Sequence, residues 1–209
     1  MKIAEIFLSV QGEGPQVGMI SWFIRTSGCN LSCNWCDSKY ANEGKEMSIS
    51  EIIDSLPPNE CNNVVITGGE PLLQKDLLEL LSCLPHKIYV ETNGTIYDSK
   101  LIGMATYIVS PKLQFMNDAY METLKKWKYQ GTFKFVIGSR KDFDDALKLC
   151  KELKLEQTLD PVYFMPKGTD QKTINTNIIN IVEWLKKDAP WGRVSLRLHI
   201  TLYGNKRGV

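Results

Sequence analysis

Apolar runs and amphipathic runs alternate along this chain of 209 residues, the pattern of a mostly parallel sheet whose strands are joined by covering helices. Short β-branched and aromatic runs predict strands at residues 22–25, 64–67, 88–92, 107–110, 133–137, 162–165 and 194–198. Helical spacing fills most of the gaps. Ser48-Ile49-Ser50-Glu51 reads as a capping box, in which hydroxyl and carboxylate satisfy each other's backbone amides, and Ile49, Ile52, Ile53 and Leu56 form the apolar face that follows. Leu77, Leu80, Leu81 and Leu84 repeat that spacing, as do Phe143, Ala146, Leu147, Cys150 and Leu153. Ile174, Ile178, Ile181, Val182 and Leu185 follow it more loosely, up to a stop at Asp188-Ala189-Pro190. No repeat, low-complexity tract or long linker divides the chain, so residues 1–209 read as one domain.

Polar and glycine-bearing segments gather where the predicted strands end. Cys29 follows the first of them. Thr67-Gly68-Gly69-Glu70-Pro71, Glu91-Thr92-Asn93-Gly94 and Ser110-Pro111-Lys112 close the next three. In parallel α/β folds the active site lies at the carboxyl ends of the strands, where loops vary without disturbing the core. Any single glycine pair is explained by a tight turn. A succession of such strand ends along one rim points to a ligand.

Composition narrows the class. The chain is 43% hydrophobic and 23% charged, as befits a globular protein, and its net charge of +1 gives no support to a nucleic-acid or anionic-membrane partner. Met1-Lys2-Ile3-Ala4-Glu5-Ile6 opens no apolar leader, and no apolar run reaches the roughly 18 residues of a membrane span. The expected location is the cytoplasm, whose reducing conditions keep cysteines as thiols. His86 and His199, the two histidines, lie far from the cysteine-rich loop in sequence and read as structural.

Three of the six cysteines, Cys29, Cys33 and Cys36, share one loop with spacing C-x3-C-x2-C. A structural zinc site takes four ligands, and simple electron-transfer iron–sulfur proteins cap every iron with protein. Three thiolates leave a coordination position open. Cys150 and Cys83 fall on helix-like runs and read as core. Cys61, after Pro57-Pro58, is the alternative fourth ligand, and a zinc or redox module built with it stays open at this level.

Cys29-Asn30-Leu31-Ser32-Cys33-Asn34-Trp35-Cys36-Asp37 resembles the cluster loop of the radical S-adenosylmethionine (SAM) superfamily. Within it, Ser9-Val10-Gln11-Gly12-Glu13-Gly14, the segment Trp22 to Cys29, the three strand-end motifs and the ending Gly204-Asn205-Lys206-Arg207-Gly208-Val209 resemble the 7-carboxy-7-deazaguanine synthase family of the queuosine pathway. A glycyl-radical-enzyme activase shares the cysteine spacing; Arg25 and the Gln11–Gly14 turn argue against it. The resemblance implies an α/β fold, an incomplete, compressed TIM-like (β/α)6 barrel. It implies a lyase that uses a [4Fe–4S] cluster on Cys29, Cys33 and Cys36, with SAM on the open iron. One electron would cleave SAM to a 5′-deoxyadenosyl radical, which abstracts hydrogen from 6-carboxy-5,6,7,8-tetrahydropterin. Ring contraction and loss of ammonia would follow, with SAM regenerated.

Site residues follow from the same resemblance. Trp35, Asp37, Gly69, Glu70, Glu91, Ser110, Pro111 and Lys112 would contact SAM, as would the backbone of Met165, Pro166, Lys167 and Gly168. Val10, Gln11, Gly12, Glu13, Thr67 and Arg25 would hold the pterin, Arg25 by matching its planar fork to the carboxylate. Ser38 would bind Mg2+; the family has threonine here, and serine keeps the oxygen without the methyl that restrains it. Val209 stands where some members end in proline, and its carboxylate would reach the pterin. Residue type alone also allows Glu70 as a surface glutamate, Lys112 as a solvated lysine, Arg25 as a plain salt bridge and Ser38 as a loop serine. A homodimer and an electron donor such as flavodoxin complete the expectation.

Overall fold

The computed structural model describes residues 1–56 and 61–209; Pro57-Pro58, expected as loop, lies outside the described residues. Strand β1 (Lys2–Val10) runs antiparallel to β2 (Ile20–Thr26) and to the short β3 (Lys45–Glu46). Helix α1 (Ile49–Asp54) leads towards β4 (Asn63–Gly68), and α2 (Leu77–Cys83) precedes β5 (Lys87–Thr92). Strand β6 (Thr106–Val109), α3 (Asp118–Trp127), β7 (Gly131–Ile137), α4 (Arg140–Leu153) and β8 (Tyr163–Pro166) continue the alternation. The chain closes with α5 (Gln171–Asp188), β9 (Arg193–Val194) and α6 (Leu198–Tyr203).

The strands form one sheet in the order β3-β1-β2-β4-β5-β6-β7-β8-β9, parallel from β2 onwards. Its edges β3 and β9 do not pair with each other, so the barrel is incomplete, as expected. The capping box forms: Ser48 Oγ accepts from Glu51 N at 3.2 Å while the Glu51 carboxylate accepts from Ser48 N at 2.8 Å.

Strand periodicity sorts the side chains onto two faces. Ile24, Ile66, Val90, Val109, Phe135 and Phe164 are fully buried in the main hydrophobic core. Trp127 of α3 meets Tyr107 with ring centroids 5.0 Å apart, and Phe143 of α4 meets Phe164 at 5.4 Å. The alternate positions Arg25, Thr67, Glu91, Ser110, Lys134 and Met165 point instead into a cleft on the opposite face. One strand therefore supplies both core and site.

The structure departs from the sequence reading in four elements. Strand β1, not among the strands named from the sequence, carries Ile3, Ile6, Phe7, Leu8 and Val10, several of them only half buried. It is held by pairing with β2 and by Phe7 stacked on Phe23, centroids 5.1 Å apart. The strand expected at 194–198 is confined to Arg193–Val194, and Leu198 begins α6. Helix α3, not among the helices named from the sequence, buries Tyr120, Leu124 and Trp127 at i, i+4, i+7 spacing. Cys83, expected in the core, ends α2 exposed, whereas Cys150 is fully buried.

Candidate active site

A cleft of about 1030 Å³ opens on the inner face of the sheet. The loop after β2 forms one wall and carries Cys29, Cys33 and Cys36, all three lining the cleft. Cys36 N donates to Cys33 O at 3.2 Å, and Leu31 N donates to Cys29 Sγ at 3.4 Å. Burial pushes the Cys33 and Cys36 thiols up, their neighbouring sulfurs add to this, and Lys112 pulls them back. Three soft donors that repel one another as thiolates suit a cationic iron–sulfur centre. Among the described residues no three His, Cys, Asp or Glu side chains form a cage for a single ion.

Cys61 cannot complete that set. It sits just before β4 and packs against Ile20 O at 3.4 Å, at the amino ends of β2 and β4, while the cysteine loop leaves the carboxyl end of β2. The alternative with Cys61 as fourth ligand is overturned by the length of the strands between them.

Gly69 lies against the cysteine loop. A Cβ there would stand 1.9 Å from Gly28 O, so only glycine permits this approach. Gly69 N donates to Thr26 O and Glu70 N to Gly28 O, stitching β4's exit to the loop. Glu70 itself corrects the sequence expectation. Fully buried, it does not line the cleft; its carboxylate accepts from Leu72 N at 3.1 Å, Thr92 Oγ1 at 2.8 Å and Asn93 N at 2.7 Å. Burial raises its pKa against the pull of those donors. Its work is internal: it fixes Asn93, whose Nδ2 donates to Asn30 Oδ1 at 3.0 Å in the cysteine loop.

Ser110, Lys112, Met165, Lys167 and Gly168 reach the cleft, whereas Pro111 and Pro166 are buried behind it and do not. Lys112 Nζ donates to Ser110 Oγ at 2.9 Å, and Lys112 and Lys167 flank the Trp35 ring, each 5.5 Å from its centroid. Burial lowers the Lys112 pKa, with Lys134 adding to the effect, so it is not an ordinary solvated lysine.

The turn after β1 crosses the cleft floor. Val10, Gln11, Gly12 and Glu13 all line it. Gln11 Nε2 donates to Glu91 Oε1 at 3.1 Å, and Thr67 Oγ1 donates to Glu91 Oε2 at 3.0 Å, so Glu91 is tied to this turn and to β4. Lys134, with its side chain 4% exposed, bridges Glu13 at 2.7 Å and Glu91 at 3.4 Å. Burial would raise the Glu13 carboxyl, but Lys134, Arg197 and His199 together hold it well below the usual carboxylate range. The same carboxylates keep Lys134 protonated despite its burial.

Arg25 stands opposite, its Nε on Glu5 Oε1 at 2.7 Å and its Nη1 3.5 Å from Ser38 Oγ. Phe7 and Tyr40 rings lie 5.9 and 5.8 Å from the guanidinium. Ser38 Oγ donates to Asp37 Oδ1 at 3.0 Å. At the end of the chain, Arg207 stacks on Tyr40 at 3.7 Å, and Gly208 and Val209 border the cleft.

Three site residues escaped the sequence reading. Lys134 carried a signal, a lone charge inside an apolar strand. Arg197, inside the strand expected at 194–198, carried the same one; His199 carried none, and it is not the remote structural histidine expected from its position: a Cβ on Gly12 would stand 2.0 Å from its Nδ1. Burial lowers the His199 pKa, against the pull of Glu13.

The family model described as "Radical SAM superfamily" matches residues 23–176, most of the chain, and the chain is a radical SAM protein. A curated 7-carboxy-7-deazaguanine synthase of Thermoplasma acidophilum is 32% identical over 218 residues, covering 100% of both chains. Another, from Methanospirillum hungatei, is 35% identical over 207 residues, covering 95% of this chain and 84% of its own. The chain therefore belongs to the 7-carboxy-7-deazaguanine synthase family and is a radical SAM lyase. The crystal structure of QueE from Escherichia coli shares the fold, with a TM-score of 0.70 and 22% identity over 93% of this chain and 92% of that one. The family implies a [4Fe–4S] cluster and SAM. No helix among the described residues is long and apolar enough to cross a membrane.

Proposed function

We propose that this chain converts 6-carboxy-5,6,7,8-tetrahydropterin to 7-carboxy-7-deazaguanine with loss of ammonia, as a single radical SAM domain. The observation that carries it is one cleft shared by the three cysteines, Arg25, Ser38 and the turn from Gln11 to Glu13. Cys29, Cys33 and Cys36 would hold the cluster, which with SAM supplies the carbon-centred radical that starts the rearrangement. The remaining work belongs to the chain.

Gly69 leaves backbone room for the SAM amino group, and Trp35, Asp37, Ser110, Lys112 and the segment 165–168 would contact the rest of it. Glu91 and Thr67, already hydrogen-bonded, present a fixed polar edge on the inner face. Gln11, Gly12 and Glu13 would read the pyrimidine edge of the pterin by hydrogen bonding. Glu13 stays anionic beside Lys134 and Arg197, so it offers acceptors and no proton. Arg25, preset by Glu5, would turn its outer nitrogens to the substrate carboxylate. Ser38, with Asp37 beside it, would supply oxygen to Mg2+, a hard cation that keeps several waters. The Val209 carboxylate would close the site.

A homodimer, cytoplasmic location and a flavodoxin-like electron donor complete the proposal; the net charge of +1 gives no support to a nucleic-acid partner. The test is anaerobic turnover of the reconstituted enzyme with the pterin, SAM, reductant and Mg2+, read by mass spectrometry. Absence of the deazaguanine from a preparation that cleaves SAM would refute the substrate assignment.

A further inference from the structure

Arg197 ties together three segments that are distant in sequence. Its Nε donates to Glu13 Oε1 at 3.0 Å in the floor turn, its Nη2 donates to Asp37 in the cysteine loop, and its Nη1 donates to the Gly168 carbonyl after β8. The side chain is 6% exposed. Its backbone is anchored from behind, since Arg197 stands at the position just before α6 and the next amide, Leu198 N, donates to Gly12 O at 2.9 Å. Beyond Asp37 the network continues to Ser38 Oγ at 3.0 Å and from there to Arg25 Nη1 at 3.5 Å.

We infer that Arg197 is a positioning residue that sets the floor turn in register with Asp37 and Ser38, and so places the pterin against its metal ion. A guanidinium is suited to this because its donors leave a rigid plane in several directions. An ammonium is a point charge that can neutralise Glu13 or Asp37 without aligning both. Loss of Arg197 leaves Glu13 paired with Lys134 at 2.7 Å, and Asp37 at 39% exposure can be hydrated. The fold therefore does not depend on it as it would on an isolated buried pair. The inference rests on the substrate and Mg2+ assignments proposed above for its catalytic consequence, but the alignment itself does not.

The experiment compares wild type with Arg197→Lys and Arg197→Gln as reconstituted enzymes of equal iron content. Steady-state kinetics should show KM for the pterin and the half-saturating Mg2+ concentration each rising about tenfold in both variants, the scale of one lost charge-assisted hydrogen bond, and rising by more than kcat falls. Amide hydrogen exchange without pterin should speed up selectively at residues 10–13 and 37–39. Failure of lysine to rescue would identify the fork, rather than the charge, as the requirement. Unchanged exchange in both segments would overturn the inference. So would a uniform loss of protection throughout the chain, or an increase in KM and Mg2+ requirement within twofold. If the wild type neither binds nor converts the pterin, the substrate assignment fails, and the exchange pattern alone decides for or against the alignment.

Discussion

Lys134 of β7 donates to Glu13 at 2.7 Å across the cleft floor, joining the centre of the parallel sheet to the turn that leaves the antiparallel strand β1. The two charges are almost wholly desolvated, with side chains 4% and 14% exposed. Glu13 has its pKa lowered, so its contribution is present above the unfolded carboxylate value and lost only as pH falls through the lower folded one. Lys134 has its pKa raised, so its share is complete below 10.5 and lost as pH rises through the higher folded value. The pair is charged throughout the neutral range.

Lys134→Met is expected to destabilise the protein by about 3 kcal/mol, because it leaves the Glu13 and Glu91 carboxylates facing each other with one cation fewer. Urea denaturation at neutral pH measures this. A loss below about 0.5 kcal/mol, the scale of an exposed pair, would mean that water reaches the floor.

Replacing Cys29, Cys33 or Cys36 by alanine should abolish iron retention after anaerobic reconstitution. Cys61→Ala should keep about four irons per chain, since Cys61 lies at the opposite ends of the strands. Iron loss from Cys61→Ala would revive the four-ligand alternative.

Gly69→Ala should disturb the cysteine loop through the backbone. The new Cβ would stand 1.9 Å from Gly28 O and 2.4 Å from Gly28 C, neither of which can swing aside like a side chain. A cost of about 1–3 kcal/mol in the urea midpoint, together with reduced iron content, is the expected result. Wild-type values for both would show that β4's exit and the loop can separate.

His199 gives stability a pH dependence. Burial holds its pKa below the ordinary 6.5, so as pH falls through 6.5 the unfolded chain takes up a proton that the folded one refuses. Stability should decline on the acid side of 6.5, and His199→Asn should remove that part of the slope. Denaturation curves recorded on both sides of this pH compare the two proteins. Parallel slopes would show that folding does not lower the His199 pKa.

The sequence by itself determined the parallel core and the cysteine loop. Both are local patterns: apolar strands such as 64–67 and 133–137 carry period and composition within a few residues, and Cys29, Cys33 and Cys36 lie within one turn of chain. Thr67, Glu91 and Ser110 stood out in the polar segments at strand ends, while the role of Arg25 came from the family resemblance. Only the tertiary structure decided the rest. Strand β1 takes its antiparallel register from its partner β2. Glu70 turned from ligand to internal brace because Thr92 and Asn93, twenty-odd residues on, claim its oxygens. Lys134, Arg197 and His199 meet Glu13 from 121, 184 and 186 residues away, respectively. A lone charge in an apolar strand, as at Lys134, marks the residue but not its partner, since a charge can be buried only where a partner, brought by the fold, replaces the water it gives up.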